Sequence, residues 1–248
     1  MKKKLVSMLV ITAMVATMFA GCSKKNDTLI VGTNAGFAPY EYMDEGNKVV
    51  GVDMDISKAI ADSMGKKLEI KNMDFDAALV AVEKGKVDFV AAGVSVDETR
   101  KKKMDFSDDY VNSTEVVVVN KAHPALAEAT DKALAGKIVG VQRGNIADVW
   151  VNTNVKAKEE KRYPLFSQAA QDLKNQKIDC IVMDKIPAED LVKANPELSI
   201  LKETLFEDKY AIAVKKGNKE MLDKINAVIK DLKDSGKMDE FFAKYAKK

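Results

Sequence analysis

A chain of 248 residues with 46% hydrophobic content can bury one large core or two smaller ones. Its 40 lysines and arginines nearly balance its 38 acids, and the runs Lys101-Lys102-Lys103 and Lys247-Lys248 are too short and isolated to argue for nucleic acid. The one histidine, His123, stands beside Pro124 in an expected loop, so neither a zinc site nor a histidine-based triad can be assembled.

The front of the chain reads as an address. Met1 is followed by three lysines, residues 5–19 carry no charge, and Phe19-Ala20-Gly21-Cys22 precedes a polar turn at Ser23. This order is that of a secretory signal, and the apolar run is short for a membrane span, which needs about 20 residues. Small residues before a cysteine match a lipoprotein-processing box, although Phe19 stands where leucine is usual. Residues 1–21 are therefore expected to be a signal peptide, Cys22 the lipidated residue and 22–27 a tether. Removing 1–21 takes away three lysines and no acid, which moves the formal charge from +2 to −1. Cys180 is then left without a disulfide partner, and its neighbours Ile178, Ile181 and Val182 suggest a buried strand thiol rather than a nucleophile.

Further along, the chain repeats a plan. Phe75-Asp76-Ala77-Ala78 aligns with Phe166-Ser167-Gln168-Ala169, and the same offset of 91 places Lys86-Val87-Asp88 on Lys177-Ile178-Asp179 and Gly93 on Asp184. Ile30-Val31-Gly32-Thr33-Asn34 is echoed by Ile138-Val139-Gly140-Val141-Gln142. Two echoes in the same order predict duplicated α/β lobes. In chain order, strand 29–33 leads to a helix over 53–64 with Ile56, Ile60 and Met64 on one face and Gly65 as its stop. A strand carrying Leu68 and Ile70, a helix from Phe75 and a strand over 87–92 complete a βαβαβ unit. The valine-rich run 115–120 carries the chain elsewhere, and residues 137–195 supply a β-α-β-α-β-α set. Residues 210–214 are expected as one strand, and amphipathic helices 219–233 and 237–245 as a return to lobe one. Crossings near 110–114 and 206–210 would form a hinge. Lobe one is thus expected over 28–112 and 209–248, and lobe two over 113–208.

In open parallel sheets, ligands bind beyond the carboxyl ends of the strands. Four such ends are Asn34, Gly93, Gln142 and Asp184, which converge if the lobes face each other. After strand 87–92 come Gly93, where backbone can approach a ligand, the Ser95 hydroxyl, Asp97 as a helix N-cap and the Arg100 guanidinium, a set that suits a carboxylate. Asp184 offers the opposite charge from the facing lobe, so the two fit a zwitterion. Phe37 and Phe75 can sandwich a side chain. Gly144-Asn145 opens a helix whose first N–H groups can add to carboxylate binding. The plain alternatives are that both aromatics and Met183 are core, and that Asp184 caps the helix following it.

Four motifs then carry a family resemblance: Phe37-Ala38-Pro39-Tyr40-Glu41-Tyr42, Gly51-Val52-Asp53-Met54-Asp55, Gly93-Val94-Ser95 with Arg100, and Asp105-Phe106-Ser107 with Tyr110. In order and spacing, over essentially all of the mature chain, the sequence resembles the extracellular solute-binding proteins, family 3, of polar amino-acid ABC transporters. The resemblance implies an α/β, two-lobe periplasmic-binding-protein-like fold of type II, with lobes joined by two hinge strands and closing on ligand. It implies Arg100 as the α-carboxylate clamp, Ser95 as a second carboxylate contact, Gly93 as backbone acceptor for the α-ammonium, and Asp184 as counter-ion. Phe37 and Phe75 match the aromatic walls. A monomer with no cofactor and no catalysis is expected, anchored through Cys22 at the extracytoplasmic face of the bacterial cell membrane and delivering its amino acid to a permease.

Three departures qualify the ligand. Asp97 stands where threonine is usual and brings a negative charge near the arginine. Ile146 replaces a small or hydroxyl residue, leaving only its backbone N–H for the carboxylate. Asn34 stands where several members that take cationic or amide side chains carry an acid, which leans the ligand towards a polar, uncharged side chain such as glutamine, with Gln142 and Met183 as further pocket candidates. Arginine, lysine or cystine stay open, because Glu41, Asp44 or Glu45 can be imagined to supply charge. Two other functions use the same fold. One is a dehydratase of the same fold using Asp184 as acid, for which no second proton-transfer group is evident. The other is a sensory module, for which no transmembrane helix or signalling domain follows Lys248.

Overall fold

The computed structural model describes residues 27–246. The expected signal peptide, Cys22 and the tether up to residue 26 lie outside the described residues. Strand β1 (Thr28–Thr33) runs inside the first sheet because both its faces are covered. It is followed by the hairpin β2 (Tyr42–Met43) and β3 (Val49–Val50), helix α1 (Val52–Ser63), β4 (Lys67–Asn72), α2 (Phe75–Glu83) and β5 (Phe89–Val90). β1 pairs in parallel with β4 on one side and with β5 on the other. α1 turns Met54, Ile56 and Ile60 inward and ends before Gly65, whose φ of +63° suits a residue without Cβ. The short helix α3 (Glu98–Lys101) and β6 (Met104–Phe106) come next, and the sheet order is β4-β1-β5-β12-β6, with β12 (Ala213–Lys215) antiparallel to β5 and β6.

The long strand β7 (Val111–Asn120) leads into a second sheet. There the chain runs α4 (Asp131–Leu134), β8 (Ile138–Gln142), α5 (Ile146–Asn154), β9 (Glu159–Tyr163), α6 (Phe166–Lys174), β10 (Cys180–Asp184), α7 (Lys185–Ala194) and β11 (Leu198–Tyr210). Its order is β11-β7-β10-β8-β9, with β9, β8 and β10 parallel and β7 antiparallel to β10 and β11. Helices α8 (Lys219–Asp234) and α9 (Lys237–Tyr245) pack Ile225, Ile229, Leu232 and Met238 into the same core as Leu29, Ile56 and Ile60. Lys244 of α9 pairs with Asp55 of α1 at 2.7 Å. Among the described residues no helix is long and apolar enough to cross a membrane. Cys180 is fully buried on β10, and that burial pushes its thiol well above the ordinary range.

The internal repeat has a structural basis. Asp88 accepts the N–H of Ile30 at 2.7 Å and donates its own N–H to the Ile30 carbonyl at 2.8 Å. Asp179 does the same to Ile138 in the second sheet, at 2.7 and 2.9 Å. One aspartate thus clasps the start of the leading strand to the start of the last parallel strand in each sheet.

Two expected strands differ. Residues 210–214 do not form one strand: Tyr210 ends the 13-residue β11, residues 211–212 step between sheets, and β12 begins at Ala213. The step is held by Ala211 N–H to the Val94 carbonyl at 3.0 Å and by Ile212 N–H to Ser107 Oγ at 2.9 Å. The strand over 87–92 contracts to Phe89–Val90, because the chain then turns into Gly93, whose N–H goes to a side chain instead of a neighbouring strand.

Candidate functional site

Where the two sheets face each other, Asn34 meets Gln142, Gly93 and Asp184 both lie against Tyr210, and three contacts tie the sides. Gln142 Nε2 donates to Asn34 Oδ1 at 2.8 Å and to the Pro164 carbonyl at 3.0 Å. Phe37 stacks on Phe166 with ring centroids 6.1 Å apart. Arg100 Nη2 donates to the Gly144 carbonyl at 2.8 Å.

Arg100 is only 6% exposed. Asp97 caps α3, accepting from Thr99 N–H at 2.7 Å and Arg100 N–H at 3.1 Å, and its other oxygen lies 3.1 Å from Arg100 Nε. The expected cap therefore exists, and so does the expected negative neighbour. Nη1 donates to the Ser95 carbonyl, and the guanidinium stands 5.7 Å from the Phe75 ring centroid. Burial lowers the arginine's proton affinity, opposed by Asp97, Asp208, Asp184 and Asp148, but a guanidinium keeps its charge in a protein. The group is a fixed cation with planar donors, suited to an anionic oxygen pair.

Gly93 has φ +54°, and a Cβ there would stand 2.7 Å from Phe37 Cε1. Its N–H donates to Asp53 Oδ2 at 2.9 Å, while the other Asp53 oxygen accepts from Tyr110 OH at 2.7 Å. Burial pushes Asp53 up to about 6 despite these bonds, and Glu41 is buried beside it and raised well above the usual range for the same reason. Asp53 and Tyr110 thus set the backbone of the Gly93 turn, a support that the sequence motifs contained but did not explain.

Asp184, 1% exposed, occupies the N-cap position of α7 without making a cap bond. Its Oδ1 accepts instead from Ser113 Oγ at 3.2 Å and from Tyr210 OH, so the cap alternative is not what the side chain does. Glu115 stands opposite Asp184 in the β7–β10 register, and Asp208 of β11 completes a trio in which one oxygen from each lies within 4.8 Å of the others. This trio is the one group among the described residues able to hold a metal ion.

The remaining expected residues divide. Asn145 spends its side-chain oxygen on the Ala147 N–H at 2.9 Å, capping α5, and its own N–H on the Gln142 carbonyl at 3.1 Å, so what it can offer a ligand is its side-chain amide donor. Half-buried Ile146 opens onto a cavity of 1280 Å³ lined also by Ser113, Trp150, Phe206 and Asp208. A larger cavity of 1670 Å³ lies among α1, α8 and α9 and touches none of these residues. Met183 belongs to the core and is not a pocket residue. Asp44 lies in the β2–β3 turn, accepting from Lys48 N–H at 2.8 Å, with exposed Glu45 beside it, and Glu41 faces Asp53. The bonds that hold Asn34, including its own to the Met73 carbonyl at 2.7 Å, involve only amides and carbonyls.

Sequence reasoning missed Glu115, Asp208, Tyr210 and Phe166 as neighbours of the site. Glu115 carried a signal, being a single acid before four consecutive valines on a strand that must be buried. Asp208, within Glu207-Asp208-Lys209, carried none.

Residues 29–248 match the model of the bacterial extracellular solute-binding proteins, family 3. The arginine-binding extracellular protein ArtP of Bacillus subtilis is 30% identical over 99% of this chain and 98% of its own. An ancestral arginine-binding protein bound to glutamine is 40% identical and superposes with a TM-score of 0.82, covering 88% of this chain and 97% of that one. AbpA from Streptococcus pneumoniae bound to L-arginine is 32% identical with a TM-score of 0.83, over 88% and 94%. The two-lobe fold of these proteins is the fold described above, and the chain belongs to the bacterial extracellular solute-binding proteins, family 3.

Proposed function

We propose that the protein is the lipid-anchored binding subunit of an ABC importer, taking a polar L-amino acid between its lobes and handing it to a permease. The observation that carries this reading is a pair of buried, opposite charges on either side of one cleft: Arg100 beside Ser95 and the α5 N-terminus, and Asp184 at the end of β10. In it, the ligand carboxylate takes the Arg100 donor that faces Gly144, with Ser95, the Asn145 side-chain amide and the Ile146 N–H beside it. The ammonium lies between Asp184 and the Gly93 carbonyl, and Phe37 and Phe75 flank the side chain. Residues 28–112 and 209–248 act as one lobe, 113–208 as the other, and β7 and β11 bend between them. Cys22 is the anchor on the outer face of the membrane, supported by the Phe19-Ala20-Gly21-Cys22 box. The binding unit works as a monomer.

The amide pair Asn34–Gln142 favours an uncharged polar side chain, glutamine first. The relatives named for arginine keep arginine as the second candidate. A thermal-shift screen of residues 23–248 against the twenty L-amino acids, cystine, ornithine and citrulline tests the reading. A micromolar binder at millimolar concentration stabilises by roughly 4 kcal/mol, and a shift confined to glutamine or a few related polar amino acids is expected. No shift with any of them, after unfolding and refolding to strip ligand, would refute it. A second experiment addresses selectivity. Asn34→Asp places a carboxylate against Gln142 and is expected to raise affinity for L-arginine at least about tenfold relative to L-glutamine, since a fixed charge at a desolvated site is worth more than ~1.4 kcal/mol. An unchanged ratio in paired titrations would move the side-chain end of the ligand away from Asn34.

A further inference from the structure

Three carboxylates meet at the hinge with too few partners. Glu115 is 0% exposed, and neither of its oxygens has a hydrogen-bond donor. Asp184 Oδ2 and both oxygens of Asp208 are buried and equally without donors. Carboxylates only accept when ionised, so three ionised acids side by side would leave five oxygens unsatisfied and three charges in repulsion. The groups facing them do not neutralise that. From the second sheet these are Ser113 and Tyr210, and from the first Ser95, Tyr40, Arg100 and, farther off, the Glu41–Asp53 pair. Ser95 and Ser113 lie beside Asp208 without meeting hydrogen-bond geometry. Among the described residues Arg100 is the one buried cation, and it already serves Asp97. Lys185, Glu189, Glu207 and Lys209 line, with Asp208 itself, a cavity that Glu115 and Asp184 do not line, so Asp208 is the member of the trio nearest a route to solvent.

From this geometry we infer that Glu115 is a positioning residue, held neutral and donating its proton to Asp184, and that Asp208 is a second carboxylate for the ligand's ammonium, releasing a proton through that cavity when the ammonium arrives. The inference rests on the reading that an amino-acid ammonium binds at Asp184. A proton on Glu115 converts one oxygen into a donor and fixes the Asp184 carboxylate between Glu115, Ser113 and Tyr210. Burial, reinforced by Asp184 and Asp208, drives Glu115 well above the usual carboxylate range. Burial and then Asp184 push Asp208 up to about 7, so near neutral pH it is the member poised to exchange its proton. A nearby ammonium favours the ionised form, so binding lowers the Asp208 pKa and a proton leaves. Protons then compete with ligand: affinity is full above the ligand-free pKa and declines as pH falls through it.

The experiment is calorimetric titration of the full mature chain with L-glutamine, and in parallel L-arginine, between pH 8 and pH 6. The dissociation constant of the wild type is expected to rise about tenfold over that range, with proton release visible as a dependence of the heat on buffer ionisation. Asp53, pushed up to about 6, lies near the lower end of this window, so the discriminating variant is Asp208→Asn, which should bind more weakly at pH 8 and show less than about a threefold change with pH. Glu115→Gln, which donates where a protonated glutamate donates, should bind at least about tenfold tighter than Glu115→Leu. A flat wild-type pH profile with intact binding overturns this inference alone, as does Glu115→Gln being as weak as Glu115→Leu. If neither binds, the same titration is run with whichever amino acid the thermal-shift screen identifies, and absence of binding to every amino acid of that screen at every pH overturns the inference together with the proposed function. Calcium or magnesium that stabilises the ligand-free protein, competes with the amino acid and loses its effect in Glu115→Gln would also overturn it, making the trio a metal site.

Discussion

Arg100→Ala is expected to weaken amino-acid binding at least about a hundredfold while the fold stays cooperative. Removing one partner of a buried ion pair costs ~3–5 kcal/mol, and each ~1.4 kcal/mol is a factor of ten. The side chain is nearly inaccessible, and alanine would leave the Ser95 and Gly144 carbonyls without these donors and Asp97 without its ion partner. Arg100→Lys keeps the charge but not the planar pair of terminal donors, so it should fall between wild type and alanine. Titration calorimetry gives the affinities, and melting curves without ligand separate lost binding from lost folding. A loss smaller than about tenfold in a folded Arg100→Ala protein would mean that the carboxylate sits elsewhere.

The largest effect on stability is expected from a glycine outside the candidate ligand contacts. Gly51 precedes α1 with φ +131°, and a Cβ there would stand 2.1 Å from the Tyr40 carbonyl oxygen and 2.8 Å from that of Pro39. These atoms are backbone and cannot swing aside. They also accept the N–H groups of Asp53 at 2.9 Å and Val52 at 3.1 Å, so any relief of the clash moves the start of the helix. Gly51→Ala should therefore destabilise by roughly 3 kcal/mol or more, a fall in melting temperature of about 6–12 °C for a chain of this size. Asp53 lies two residues on and holds Gly93, so residual folded protein should also bind ligand more weakly. A melting temperature within about 2 °C of wild type would show that the turn can reorganise.

Periodicity and repetition made most of the fold legible in the sequence. Ile56 and Ile60 announced α1, and the shared Lys-Val/Ile-Asp element announced the same βαβ closure in both sheets. β11 was hidden because it is an edge strand: Lys202, Glu203 and Thr204 are exposed, and its register shifts between Ile200 and Phe206, so no clean alternation survives. At the site, Arg100 and Asp184 were legible because each ends or follows a strand that must point at the cleft. Phe166 was visible as the counterpart of Phe75, but its stacking on Phe37 depends on how the two sheets face, which no local pattern encodes. Glu115, Asp184 and Asp208 come from three strands far apart in sequence. Their meeting is a product of strand order alone.

The two connections between the sheets are neighbours, paired from Val111 with Tyr210 to Glu115 with Phe206. They form one ribbon, and a ribbon flexes easily across its thin direction and resists shear along its length. In the proposed motion the lobes therefore have a single soft axis. Ser113 and Tyr210, the two hydroxyls that hold Asp184, are rungs of that ribbon. In that proposed motion, curvature of the connector and grip on the anion would be one mechanical variable, and a charge settling beside Asp184 would be read as torque on the joint.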